Sequence, residues 1–101
     1  MPDPDWKSKK ILIVDNDAEF VSLAKSALQS VGVSEIQNVG SVPEAVKRIA
    51  EFPADLVIVE ISLPRISGAQ LAKVLRDKWR SPNPDVLIVM MVASAKADIL
   101  K

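Results

Sequence analysis

Three short runs of consecutive apolar residues constrain the fold of this chain more than any other feature. Residues 11–14 read ILIV, residues 56–59 read LVIV and residues 86–92 read VLIVMMV. Runs of this length that are rich in β-branched residues are typical of strands covered on both faces. Such strands occur in parallel sheets that carry helices on either side. We therefore expect an α/β fold.

Amphipathic segments separate these runs. After the first run, Asn16 or Asp17 is a candidate N-cap, and Gly32 is a candidate for the residue just beyond the C-cap. Between them, apolar residues at helical spacing predict one buried stripe; they are Phe20, Leu23, Ala24, Ala27, Leu28 and Val31. Residues 34–39 are short and mixed, which favours an edge strand.

Two further helices are predicted from capping signals. Ser41 and Glu44 have the spacing of a capping box, and Pro43 suits a first turn. The inward residues of that helix are predicted to be Ala45, Val46, Ile49 and Ala50, and it ends near Phe52. Pro64 and Gly68 mark a turn. Within it, Ser67 is the predicted cap of a helix from about residue 69 to residue 80. Its predicted apolar face is Leu71, Ala72, Val74, Leu75 and Trp79.

The resulting order is βαβαβαβ, which implies a parallel sheet with right-handed crossovers and helices on both faces. A chain of 101 residues is enough for one domain. We expect residues 1–8 to form a flexible N-terminal leader and residues 9–101 to form the domain. Residues 94–101 have the composition to begin another helix.

Composition excludes several classes of function. Thirteen basic and thirteen acidic residues give a net charge of zero, which argues against nucleic acid and anionic membranes as partners. The chain contains no cysteine and no histidine, so it lacks thiolate chemistry and the usual general base. The N-terminus has no apolar core typical of a signal peptide, and no apolar run is long enough to span a bilayer. We expect a cytoplasmic protein.

Two acidic residues directly follow predicted neighbouring strands. Asp15 follows the first apolar run and Glu60 follows the second. In open parallel sheets, ligands bind beyond the carboxyl ends of the strands. These two carboxylates are therefore the first candidates for a functional site.

Three stretches resemble the receiver domain of two-component response regulators, the CheY-like family. They are KKILIVDND, ADLVIVEISLPRISG and VLIVMMVASAKADIL, which lie between residues 9 and 100. The resemblance implies a doubly wound, flavodoxin-like sheet in a three-layer α/β/α arrangement. Relative to that family, the sequence looks truncated after the fourth strand, so the family's C-terminal lysine has no counterpart. The implied function is phosphorelay signalling through a histidine kinase or a downstream protein, rather than enzymatic catalysis.

The resemblance also assigns the site residues, and several depart from the family's pattern. Glu60 stands where the family has the aspartate that accepts the phosphoryl group, so no catalytic residue is assigned. Asp15 and Asn16 match the acidic pair that binds Mg²⁺, and Ser62 matches the residue that offers its backbone carbonyl. With Glu60, these residues predict a weak or lost Mg²⁺ site, because Mg²⁺ prefers charged oxygen ligands. Val92 occupies the switch position, which is usually threonine or serine.

These departures predict a pseudo-receiver, and three alternatives stay open. The chain can be a phosphorylatable fragment of a longer response regulator. Glu60 can mimic the phosphorylated state, although a solvated carboxylate at a strand end is the simpler interpretation. Asp15 and Asp17 also have the spacing of haloacid-dehalogenase-type phosphotransferases, but no cap insertion is present. No glycine-rich nucleotide loop occurs.

The apolar fourth strand carries one more expectation. If the chain ends at Lys101, this strand lies at a sheet edge and is apolar on both faces. Open apolar edges favour pairing with another chain. We therefore expect a homodimer, a strand-exchanged oligomer, or cover from a partner.

Overall fold

The computed structural model describes residues 5–63, 66–77, 81 and 83–92. After a short 3-10 turn at Trp6–Ser8, strands and helices alternate as the sequence predicts. The strands are β1 (Lys10–Val14), β2 (Glu35–Val39), β3 (Leu56–Glu60) and β4 (Leu87–Met91), and the helices are α1 (Ala18–Ser30), α2 (Val42–Glu51) and α3 (Gly68–Arg76).

The four strands form one parallel sheet in the order β2-β1-β3-β4. From β1 the chain passes to β2 on one side of the sheet and then returns to β3 on the other. The point where the direction reverses lies between β1 and β3, and this is where open α/β sheets form their ligand crevice. The prediction that β2 lies at an edge is confirmed.

Alternate residues of β1 point to opposite faces of the sheet. Leu12 and Val14 join the larger core cluster, to which α2 and α3 contribute Ala45, Ile49, Leu71 and Leu75. Ile11 and Ile13 join a smaller cluster with Val21 of α1 and Val33. We call these the α2/α3 face and the α1 face. Helices therefore cover both faces of the sheet, which confirms the predicted three-layer arrangement.

The helix starts and the end of α1 follow the predicted capping residues, whereas α3 ends at Arg76 rather than near residue 80, with Asp77 as its C-cap. Asp17 accepts hydrogen bonds from the backbone N–H groups of Glu19 and Phe20 at the start of α1. Ser41 and Ser67 cap α2 and α3 in the same way. Gly32 follows the C-cap of α1 with φ +102°, a conformation that glycine adopts without strain.

The predicted inward faces of α1 and α2 are partly wrong. In α1, Val21 is buried, whereas Leu23 is 39% exposed and Val31 is 59% exposed. In α2, Val42 is buried, whereas Val46 is 40% exposed and Ala50 is exposed. In both helices the exposed residues lie at the margin of the apolar stripe, and periodicity alone does not say which margin meets the sheet.

The prediction that β3 is covered on both faces holds only in part. Val57 and Val59 are fully buried on the α2/α3 face, whereas Leu56 and Ile58 are only half-buried on the α1 face. Within the described residues, α1 packs mainly over β1 and covers its neighbours β3 and β4 only in part. Leu87 and Val89 of β4, which pair in register with Leu56 and Ile58, are correspondingly exposed.

The predicted leader is described in part. Trp6 lies within the 3-10 turn and packs against the smaller core cluster. The boundary at residue 9 stays a prediction. The calls on Pro64, Trp79 and residues 94–101 fall outside the described residues.

Candidate functional site at the ends of β1 and β3

Asp15 and Glu60 lie side by side at the carboxyl edge of the sheet. The register pairs Val14 with Val59, so the next residues on the two strands are level with each other. Neighbouring strands lie about 4.8 Å apart. Both residues are buried: Asp15 is 3% exposed and Glu60 is 7% exposed. The structure therefore brings the two predicted carboxylates together.

Asp15 is fixed by the turn that leads into α1. Its Oδ1 atom accepts a hydrogen bond of 2.9 Å from the backbone N–H of Asp17. Its own N–H donates to the carbonyl of Val39, at the end of β2. Asn16, which follows it, is exposed. Asp17 caps α1, as predicted, and its Oδ1 atom faces the helix backbone rather than a shared site.

The carboxylate of Glu60 is folded back onto its own loop. Its Oε1 atom accepts a hydrogen bond of 3.2 Å from the backbone N–H of Ser62. The Ser62 side chain itself is exposed. At 7% exposure, Glu60 is not the solvated carboxylate that the simpler interpretation expected, so that interpretation is wrong.

Gly68 holds the backbone behind Glu60. A Cβ atom at Gly68 would lie 2.7 Å from the carbonyl oxygen of Glu60 and 3.1 Å from the Cα atom of Ile61. The Gly68 N–H donates to the Ile61 carbonyl at 3.1 Å. The start of α3 therefore touches the end of β3 directly, and only glycine fits at this contact.

Val92 borders the site from the end of β4. Glu60 pairs with Met91, and the Ile61 N–H donates to the Met91 carbonyl at 3.0 Å. Val92 comes next and is 43% exposed. Its side chain has no hydrogen-bonding group, so it cannot bind a phosphoryl oxygen in the way that a hydroxyl does.

The oxygen donors at this edge fit a tight Mg²⁺ site poorly. Mg²⁺ requires near-octahedral oxygen ligation, usually with one or two carboxylates. Asp15 and Glu60 each accept a hydrogen bond from a backbone N–H group at one carboxylate oxygen. The neutral side chain of Asn16 adds no negative charge to the site. No group of three or more acidic, histidine or cysteine side chains suited to a metal occurs in the described part of the chain.

Sequence reasoning missed a groove beside Asp15 that has both polar and apolar residues in its lining. It lies between α1 and β2, has a volume of about 580 Å³, and is lined by Asn16, Ser22, Lys25 and Asn38 together with Asp15. Asn38 pairs in register with Ile13, which places it on the α1 face. The alternation of residues 35–39 was the available signal, but a mixed edge strand does not fix its own phase.

The model of the family described as response regulator receiver domain matches residues 11–101. Among curated proteins, the chain is 32% identical to "Regulator of RpoS" from Escherichia coli strain K12. The matched stretch of 93 residues covers 92% of this chain and 26% of that protein. The chain thus spans about a quarter of the length of this relative.

Comparison with solved structures also finds receiver and response regulator proteins. A chain in the crystal structure of the histidine kinase ThkA in complex with the response regulator protein TrrA is 35% identical, with a TM-score of 0.72, over 84% of this chain and 69% of that chain. The receiver domain of the histidine kinase CKI1 from Arabidopsis thaliana, complexed with Mg²⁺ and BeF₃⁻, has a TM-score of 0.76 at 18% identity, over 94% of this chain and 76% of that chain. The second match bears on the fold alone.

None of the helices among the described residues is long and apolar enough to cross a membrane. Receiver domains generally act as signalling modules that contact other proteins and bind Mg²⁺ where they are phosphorylated. The family model, the relatives and the parallel sheet with its crevice between β1 and β3 agree, and the chain belongs to the receiver domain family of two-component response regulators.

Proposed function

We propose that this chain is a pseudo-receiver, a receiver domain that signals by protein contact without accepting a phosphoryl group. The observation that carries the proposal is the state of Glu60. It stands at the acceptor position and is 7% exposed, and its Oε1 atom accepts a hydrogen bond from the Ser62 N–H group. One of its two carboxylate oxygens is therefore engaged by its own loop, and little of the side chain is accessible to a phosphodonor.

The length of the Glu60 side chain adds a second obstacle. Glutamate has one more methylene than aspartate, which moves the nucleophilic oxygen by roughly one bond length. A misplacement of about 1 Å can lower a rate by on the order of 10²-fold. An in-line attack arranged for aspartate would therefore be slow even if the Glu60 carboxylate turned outward.

The residues around Glu60 support the same proposal. Asn16 replaces a charged metal ligand with a neutral amide, so Mg²⁺ binding is expected to be weak or absent. Val92 replaces the hydroxyl that would bind a phosphoryl oxygen. Developing charge on a transferring phosphoryl group needs fixed cations or donors; the Val92 side chain supplies neither, and the Asn16 side chain supplies no charge.

We further propose the setting in which the chain acts. Its partners are a histidine kinase or a downstream signalling protein, and a second copy of itself. The zero net charge disfavours nucleic acid and membrane surfaces. The chain is not an enzyme, and it works in the cytoplasm.

The proposal is tested with a phosphoryl analogue that needs no covalent chemistry. Amide ¹H–¹⁵N spectra of the chain would be recorded during titration with Mg²⁺ and beryllofluoride. We expect no saturable shift at Asp15, Glu60 or Ser62. Saturable shifts at these three residues would mean that the site still binds a phosphoryl group and would overturn the proposal.

A further inference from the structure

The groove between α1 and β2 carries two charged residues of opposite sign, Asp15 and Lys25. Its volume of about 580 Å³ is within the range of small-molecule sites. The described elements that border it are α1, β2 and the turns that follow β1 and β2. All of these precede β3 in the chain, and β2 lies at the opposite edge of the sheet from β4. We call it the α1/β2 groove.

The two charged residues lie at different ends of the α1/β2 groove. Asp15 lies in the turn before α1, whereas Lys25 is seven residues beyond Ala18, the first residue of the helix. At 1.5 Å per residue, seven residues extend about 10 Å along the helix axis. Asp15 is 3% exposed, so water screens its charge less than that of an exposed carboxylate. The groove therefore has a negative end and a positive end on the order of 10 Å apart.

The positive end is not neutralised by the helix that carries it. Acidic residues three or four positions away form ion pairs on a helix, but Lys25 has Val21, Ser22, Leu28 and Gln29 at these positions. Within the described part of the chain, the Lys25 ammonium forms no ion pair or hydrogen bond. Lys25 is half-buried at the groove rather than fully solvated. This end of the groove is therefore suited to an anionic group.

The other polar side chains of the lining are neutral. Asn16, Ser22 and Asn38 are exposed and offer amide and hydroxyl groups that both donate and accept hydrogen bonds. Val21 is buried and contributes an apolar patch to the same lining. A peptide group has one N–H donor and one carbonyl acceptor. Peptide groups with small apolar side chains therefore match this part of the lining.

We infer that the α1/β2 groove binds a short peptide with free termini, with its ammonium toward Asp15 and its carboxylate toward Lys25. Three extended residues span about 10 Å, which matches the separation of the two charged ends. A purely anionic molecule would be repelled at Asp15 and a purely cationic one at Lys25, so the charges favour a ligand that carries both. The inference goes beyond the proposed function, because Glu60 is not among the described residues that line the groove.

The test is a titration of the full chain with trialanine, followed by amide ¹H–¹⁵N spectra in the presence of a chelator. We expect saturable shifts at Ser22, Lys25 and Asn38, with a Kd in the millimolar range that suits a small ligand in an open groove. N-acetyl-trialanine lacks the ammonium and trialanine amide lacks the carboxylate. Each of these blocked peptides is expected to bind at least about threefold more weakly.

A substitution at Lys25 tests which end of the peptide it binds. Lys25→Met removes the charge and keeps an apolar stem, so it is expected to weaken trialanine by about the same factor and to leave trialanine amide unaffected. Lys47→Met is the matched control, because Lys47 is an exposed lysine on α2, across the sheet. Circular dichroism first shows that the variants keep the fold, and Lys25→Gln replaces Lys25→Met if that variant does not fold.

The outcomes that overturn the inference are distinct. A natural chain without saturable shifts overturns the site itself. Equal binding of the three peptides, or a loss on blocking only one terminus, overturns recognition of both charges. An equal loss in Lys25→Met and Lys47→Met overturns the role of Lys25. None of these results depends on whether Glu60 accepts a phosphoryl group, so the proposed function stands or falls separately.

Discussion

At the scale of single residues, the close contact between Gly68 and the end of β3 fixes the geometry of the site. A Cβ atom at position 68 would lie 2.7 Å from the backbone oxygen of Glu60, and backbone atoms cannot move aside as a flexible side chain can. The loop that carries Glu60 and Ser62 is thereby held against α3.

Gly68→Ala is therefore expected to lower the free energy of unfolding by about 1–3 kcal/mol, the usual range for overpacking. Gly40→Ala is the matched control, because its nearest neighbour would be the Asn16 Cβ at 3.9 Å, an ordinary contact. Its effect should stay within about 0.5 kcal/mol. Urea unfolding of both variants measures the difference, and equal values would show that the Gly68 contact is not tight.

At the scale of elements, helices are fixed by their caps and by the loops pinned to them. The Asp17 side chain accepts hydrogen bonds from backbone N–H groups in the first turn of α1, and the Ser67 side chain does the same for α3. At the other end of α3, the Arg76 Nη1 atom donates to the carbonyls of Pro84 (2.9 Å) and Val86 (2.5 Å). This side chain thereby ties the end of α3 to the entry of β4.

Removing the cap of α1 should have a defined cost. Asp17→Ala is expected to destabilise the protein by about 1 kcal/mol, whereas Asp17→Asn keeps a capping oxygen and should cost less. Thermal unfolding of the two variants makes the comparison. If Asn is as costly as Ala, the charge of Asp17 at the helix terminus matters more than its hydrogen bonds.

Removing the guanidinium of Arg76 leaves two carbonyls without that donor. We expect Arg76→Met to lower the free energy of unfolding by about 1–3 kcal/mol. Lys73→Met, an exposed position on the same helix, is the control and should change it by no more than about 0.5 kcal/mol. A similar loss in both variants would refute the pinning role of Arg76.

Capping residues and turn glycines were predictable from sequence, because their chemistry is local. The burial phase of a helix is not local. Leu23 and Val46 were expected to face inward, yet Val21 and Val42 do so. The choice depends on where each helix crosses the sheet, which no short window of sequence contains. The hydrogen bond from the Ser62 N–H to the Glu60 carboxylate was not predicted, because the sequence does not fix the conformation of the loop after β3.

At the scale of the whole molecule, one helix covers the α1 face of a four-stranded sheet in the described part of the chain. Two grooves flank α1 on that face: the one toward β2 is lined by polar and apolar residues, and the one toward β3 and β4 is lined by apolar residues alone. The site between β1 and β3 lies at the end of this face.

Whole-molecule stability also reports on Mg²⁺. A site with a millimolar Kd would raise the free energy of unfolding by about 1.4 kcal/mol at a roughly tenfold excess of Mg²⁺ over Kd. We expect a smaller change between Mg²⁺ and chelator, with no shift in the urea midpoint beyond that of Ca²⁺ as a control for ionic strength. A Mg²⁺-specific gain of this size would show that the oxygen donors of Asp15, Asn16, Glu60 and Ser62 form a working site.

The most direct test of the pseudo-receiver proposal is intact-mass spectrometry after incubation with Mg²⁺ and a small acyl phosphate. The natural chain is expected to keep its mass. Glu60→Asp serves beside it: a gain in this variant alone means that Glu60 by itself blocks the chemistry, and no gain means that Asn16 and Val92 contribute to the loss. A natural chain that gains one phosphoryl group would contradict the account and make this protein a working receiver.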